Sequence, residues 1–222
     1  MKKLLVVIPS FSIGGAQRFC INLCKYIGIF DIHCEVAVLR RCDERVKNLR
    51  KEFLDNNIIC HEFNKSKVMV AMPALLKLEK TYKPDVILST VNNVDFWVSL
   101  VHLLYSKPKL IIRKANIDFN TSQMDAFLLK SKLPYRRASR IVTLTHQMKD
   151  IYCKKYGFSD KYTTINNMVD IDDICRKSML EVLDEYPPVD NAVNFIHVGR
   201  MVREKRHDLL IEAFKKIAVK HE

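Results

Sequence analysis

Leu4-Leu5-Val6-Val7-Ile8-Pro9-Ser10-Phe11-Ser12-Ile13-Gly14-Gly15-Ala16-Gln17-Arg18 is the run that decides how this chain folds. An unbroken aliphatic stretch over 4–8, with no alternation, marks a strand buried on both faces, as in a parallel sheet. Residues 9–13 read as a loop, and Gly14-Gly15 open a helix reaching about Tyr26. Ala16, Phe19, Cys20, Leu23 and Ile27 fall at helical spacing and form its apolar stripe. Strand, glycine loop and helix together open a nucleotide-type α/β unit. It is not the dinucleotide fingerprint, because no Gly-x-Gly-x-x-Gly occurs.

The pattern continues along the chain. Strands are expected at 34–39, 58–63, 86–88, 110–112, 141–144 and 162–165. Helices are expected over 43–56, 74–82, 96–105 and 146–156, with breaks at Pro84, Pro108 and Gly157. Strands spaced by helices imply βαβ crossovers and a doubly wound, mostly parallel, Rossmann-like sheet. Residues 180–184 look helical, and Pro187-Pro188 then read as a hinge. The expected division is a domain at 1–186, followed by the hinge and the start of a second Rossmann-like domain at 187–222.

That restart reads Phe195-Ile196-His197-Val198-Gly199, a short strand and a turn, with glycine at the exit because it takes φ > 0 freely. Asp208 is a candidate N-cap, and Leu209, Leu210, Ala213, Phe214 and Ile217 share one helix face. Arg200, Arg203, Lys205 and Arg206 crowd the helix start, whose positive dipole end should repel them. A bound anion resolves that conflict, since free N–H groups at helix N-termini hold phosphate. A solvated basic loop explains the charge equally well.

With 222 residues, 48% of them hydrophobic, the chain has material for one good core and part of another. A net charge of +12 favours anionic partners. The seven cysteines have no regular spacing, and Met1-Lys2-Lys3 precede too short an apolar run for a signal peptide. No stretch approaches the roughly 18 apolar residues of a membrane span. Free thiols in a cytoplasmic setting are therefore expected. Cys20 and Cys24 share a helix face, which core packing explains better than metal binding, and no metal site is expected.

Ligands of open α/β sheets sit beyond the carboxyl ends of the strands. After the first strand come Gly14, Gly15, Gln17 and Arg18, where small residues let backbone N–H groups approach an anion or a sugar hydroxyl. Two glycines that only make a tight turn are the plainer reading. Thr90 and Asn92 follow the fourth strand and suit sugar recognition, whereas Asn93 and Asp95 are read as helix caps. Arg113 and Asn116 follow the fifth and are candidates for chemistry or simply surface residues. His146 follows the sixth, at a helix start. Over 127–140, Phe127, Leu128, Leu129, Leu133 and Tyr135 interleave with Lys130, Lys132, Arg136, Arg137 and Arg140. Such a segment could dock on an anionic membrane surface, or form a half-buried helix with a solvated basic face.

The Val198-Gly199-Arg200, Lys205 and Leu-Leu-Ile-Glu-Ala-Phe run at 209–214 resembles the first strand–loop–helix of the donor domain in GT-B glycosyltransferases of family 4. The Gly-Gly-Ala-Gln-Arg run at 14–18 resembles that family's opening glycine loop, and 135–142 its helix-into-strand passage. Asn167-Met168-Val169-Asp170 resembles its Asn-Pro-Val-Asp or Asn-Gly-Val-Asp turn, with methionine at the usual proline or glycine. The resemblance implies a retaining transferase moving a sugar from a nucleotide diphosphate sugar to a glycan or lipid-linked acceptor in bacterial surface polysaccharide synthesis. No cofactor beyond that donor substrate is implied. Arg200, Lys205 and Gly15 would hold the donor diphosphate. Gly14, Gln17, Arg18, Thr90, Asn92 and His146 would line the acceptor side, and Arg113 and Asn116 would stand where many members carry a histidine. The family's Glu-x7-Glu pair would lie beyond Glu222, so an enzyme truncated or split at this point, inactive alone, is expected. A peripheral place at the inner membrane face goes with that reading.

Other classes remain open. A non-catalytic acceptor-half or binding module fits the length. An NADP-binding oxidoreductase is suggested by Arg40-Arg41 after the second strand, but it lacks the glycine fingerprint and a Tyr-x3-Lys. Nucleic-acid binding rests on charge alone and is not expected.

Overall fold

A computed structural model of the chain describes residues 1–42, 49–116, 131–180, 193–199, 201 and 205–218. A seven-stranded, all-parallel sheet forms from β1 (Lys2–Ile8), β2 (Ile32–Arg40), β3 (Ile59–Lys65), β4 (Val86–Ser89), β5 (Lys109–Lys114), β6 (Arg140–Thr143) and β7 (Tyr162–Thr164). Strand order is β3-β2-β1-β4-β5-β6-β7, so the winding reverses between β1 and β4. Between strands run α1 (Gly15–Tyr26), α2 (Arg50–Asp55), α3 (Met72–Tyr82), α4 (Asn92–Leu104), α5 (Leu133–Arg137) and α6 (His146–Tyr156), and α7 (Ile171–Ser178) follows β7.

The aliphatic run of β1 serves two cores. Leu5 and Val7 pack with Leu75, Val94, Val98, Tyr135 and Tyr152, from α3 to α6. Leu4, Val6 and Ile8 pack on the other face with Cys20, Ile21 and Phe53, from α1 and α2. Helices thus cover both faces, which is why β1 cannot alternate polar and apolar residues. The apolar stripe of α1 is rotated from the expected one: Gln17, Cys20 and Ile21 are its buried positions, while Phe19 and Leu23 pack at the margin.

Several local expectations are corrected. Asp95 is no cap: it lies in the first turn of α4, fully buried, and Val91 precedes the helix without a side-chain cap. Its carboxylate accepts from Ser89 Oγ at 2.6 Å and from Lys114 Nζ at 2.6 Å. Asn93 does not cap either, since its Oδ1 is buried without a partner. A helix expected at 180–184 falls mostly outside the described residues, whereas α7 forms earlier, capped by Asp170 Oδ1 accepting from Asp173 N at 3.0 Å. Of the helix expected at 43–56, only α2 lies among the described residues.

The chain divides into two compact units, 1–173 and 174–222. In the second, α8 (His207–Ala218) forms, but 193–199 lie in no strand, and Ile196 is 90% exposed. A strand needs a neighbour to satisfy its backbone, and none is present among the described residues of that unit. Phe195 instead meets Phe214 of α8 edge-on at 4.9 Å. Gly199 is not in the left-handed region; a Cβ there would lie 3.3 Å from Lys205 Cγ, so the glycine accommodates the lysine stem. Asp208 sits in the first turn of α8 rather than at its cap, and Arg206 grips it through Nε at 3.1 Å and Nη2 at 3.0 Å.

Candidate functional site

The reversal between β1 and β4 splays their connections apart and leaves a crevice at the carboxyl ends. The loop after β1 is closed by Gln17, 5% exposed, whose Nε2 donates to Ser10 O at 3.0 Å and Ser12 Oγ at 3.2 Å. Gly14 is required by that closure: a Cβ on it would stand 2.9 Å from Gln17 Oε1. Gly14 is extended, caps α1 with no side chain, and hands over to Gly15, where a Cβ would meet nothing within 4 Å. The start of α1 therefore has no side-chain cap, and the flank of Gly15 is open. Such an end suits an anion.

Beside it lies Arg113, the penultimate residue of β5, 2% exposed. Its guanidinium carbon rests 3.9 Å from the centre of the Phe19 ring, and Nη2 donates to Asn167 Oδ1. Nη1 is buried without a partner, and burial lowers the guanidinium's pKa to about 10. A buried cation facing an aromatic ring and an amide, with no carboxylate partner among the described residues, is costly to the fold. Arg113 is thus not a surface residue. Asn116 is exposed, and its carbonyl accepts from Tyr152 Oη at 2.8 Å.

The segment after β7 crosses α1. Asn167 reaches Arg113, and Asp170 accepts from Lys25 Nζ at 2.6 Å and Tyr26 Oη at 2.7 Å. Lys25 above all holds the Asp170 carboxyl well below the usual carboxylate range. The sequence singled out Asn167–Asp170 as a turn; the structure gives these residues no turn, and they instead clasp α1, which the sequence did not show.

The remaining candidates scatter. Thr90 is 1% exposed and spends its hydroxyl on Val7 O at 3.2 Å, which removes it from ligand contact and ties β4 to β1. Asn92 begins α4. Arg18 turns away to an ion pair with Glu52. His146 opens α6 exposed, while Thr145 caps that helix by accepting from Met148 N at 3.1 Å. Lys205 lies in the second unit against Gly199, and Arg200 falls outside the described residues. Residues 127–130 of the basic-apolar segment do too; in its described part Tyr135 is not at a surface but buried, stacked on Tyr156 at 4.0 Å. Around that half-buried helix Lys132 just before it, Arg136 on it and Arg140 at the start of β6 are exposed.

Among the described residues no group of three or more His, Cys, Asp or Glu could hold a metal, and no helix is long and apolar enough to cross a membrane. All seven cysteines are free, with Cys24 Sγ 3.2 Å from Cys34 Sγ inside the core.

No curated protein sequence matches the chain. Among solved structures it is similar to Anabaena Alr3699/HepE in complex with UDP-glucose, with a TM-score of 0.63 and 16% identity over 78% of this chain and 45% of that one. It is similar to a glycosyltransferase from Rickettsia africae, with a TM-score of 0.57 and 17% identity over 82% and 50%. A UDP-N-acetylglucosamine 2-epimerase from Rickettsia bellii matches with a TM-score of 0.53 and 12% identity over 81% and 48%. The chain thus spans about half the length of these structures, and at such identities the likeness speaks for the fold alone. Sequence decides the family: the model of Glycosyltransferase Family 4 matches residues 13–173, which hold six of the seven strands and the start of α1, and the chain belongs to that family.

Proposed function

We propose that this chain works in a glycosyltransferase that moves a sugar, with retention, from a nucleotide diphosphate sugar to a glycan or lipid-linked acceptor in surface polysaccharide synthesis. The observation that carries the reading is the uncapped, open N-terminus of α1 at the reversal point, in a chain of this family. Gly15, through its backbone N–H, and Arg200 and Lys205, through their charge, are the candidates for holding the donor diphosphate. Negative charge grows on that diphosphate as the glycosidic bond breaks, so fixed dipoles and cations aimed at it lower the barrier. The departing phosphate oxygen takes the acceptor's proton, so no side-chain base is needed. Arg113 acts from beneath, holding Phe19 and Asn167 and thereby the path of α1. HepE with UDP-glucose supports a uridine donor. We place the hinge between acceptor-side and donor-side regions at 187.

Calorimetric titration of the chain with UDP, UDP-glucose, GDP and NADPH tests this. Binding of a nucleoside diphosphate that Lys205→Ala weakens is expected. Binding of NADPH alone would contradict it and favour an oxidoreductase.

A further inference from the structure

A second basic feature, apart from the α1 crevice, lies at the carboxyl ends of β2 and β3. There Phe11, Arg40, Arg41, Cys42, Arg50, Glu62 and Asn64 line a cleft of about 420 Å³. Three guanidinium groups share it with a single carboxylate among these residues. Glu62 is committed to Arg50, accepting from its Nε at 2.9 Å. Arg40 and Arg41 are exposed and have no carboxylate partner among the described residues. Their backbone N–H groups are spent on Pro9 O at 2.8 Å and Lys65 O at 3.0 Å, which fixes both residues at the rim.

The sheet is shaped for this. From Val38 to Arg40 the partner strand advances from Glu62 to Lys65, so β3 carries one extra residue. Asn64 absorbs it at a φ of 52°, in the left-handed region that asparagine tolerates. A bulge at a strand end re-aims side chains, and this one lies where Arg40 pairs with Lys65 at the cleft. Phe11, 2% exposed and edge-on to Phe53 at 5.2 Å, gives the floor a rigid apolar surface.

We propose that this cleft binds a phosphate group, with Arg40 and Arg41 as its ligands and the Glu62-braced Arg50 as the third wall, and that the phosphate belongs to the acceptor substrate. Planar guanidinium forks suit phosphate oxygens, and more than one of them meets a dianion better than a singly charged carboxylate. That the phosphate comes from the acceptor rests on the transferase reading; affinity of the cleft for phosphate does not.

The test is a titration of the full chain with inorganic phosphate followed by amide shifts, repeated on Arg40→Ala/Arg41→Ala and on Arg41→Glu. Both rim arginines are exposed, so unchanged circular dichroism is expected. Phosphate should shift amides around 40–42 and 62–64, and the affinity those shifts report should fall roughly tenfold or more in both rim variants. Farnesyl phosphate and glucose 1-phosphate then distinguish a lipid from a sugar source, the tighter ligand naming it. Unaltered phosphate affinity in the rim variants, equal binding of glucuronate, or binding of NADPH with neither phosphate ester would overturn the proposal. If phosphate binds at the rim while UDP binds nowhere, the cleft stands and the donor reading falls.

Discussion

Single buried polar groups set the most specific expectations. Glu79 in α3 is fully buried, and neither carboxyl oxygen has a partner. Burial raises its pKa from 4.5 to about 8. Between those values the folded chain keeps a proton that the unfolded chain has lost, so stability falls as pH rises through that window. In Glu79→Gln the decline that Glu79 causes should be missing from the urea-unfolding profile, and above about pH 8 the variant should be the more stable protein; a pH profile parallel to the parent would refute this. Asp95 answers differently. Its carboxylate compensates the 1%-exposed Lys114, so Asp95→Ala should cost about 3–5 kcal/mol in denaturant unfolding. Neither residue was legible from the sequence. Asp95 sits where a cap would, and only the fold shows that Ser89 and Lys114 end neighbouring strands beside it.

At the scale of elements, the strands and most helices followed from hydrophobic runs and their breaks, because burial on both faces leaves little choice of residue. What stayed hidden was long-range partnership: Arg113 with Asn167, and Lys25 and Tyr26 with Asp170. Such contacts join loops whose separation in sequence carries no periodicity. The strand expected at 195–198 failed for the same reason, since strand-forming residues pair only where a neighbour exists. The two glycines of the first loop separate structure from function. Gly14→Ala should push Gln17 from Ser10 and Ser12 and cost about 1 kcal/mol in thermal unfolding. Gly15→Ala enters open space at a helix start and should stabilise the chain by about 0.5–1 kcal/mol while weakening nucleotide binding. Equal effects of both changes on stability would contradict these distinct roles. Loss of the Thr145 cap in Thr145→Ala should cost about 1 kcal/mol and leave ligand binding unchanged.

For the molecule as a whole, the sheet order reverses between β1 and β4, and the uncapped start of α1, Arg113 near the end of β5 and the Arg40–Arg41 cleft lie at the carboxyl ends of the strands. On the proposed reading they serve the two ends of a transfer reaction. The family match covers this region from residue 13 onward. The measurement that tests this most directly is a map of amide shifts on adding UDP-glucose to the isotopically labelled chain. Shifts concentrated at 10–18, at 90–92 and at 113–116 are predicted. Shifts confined to the opposite ends of the strands, near Lys2, Asp85 and Lys109, or none at saturating ligand, would contradict the account.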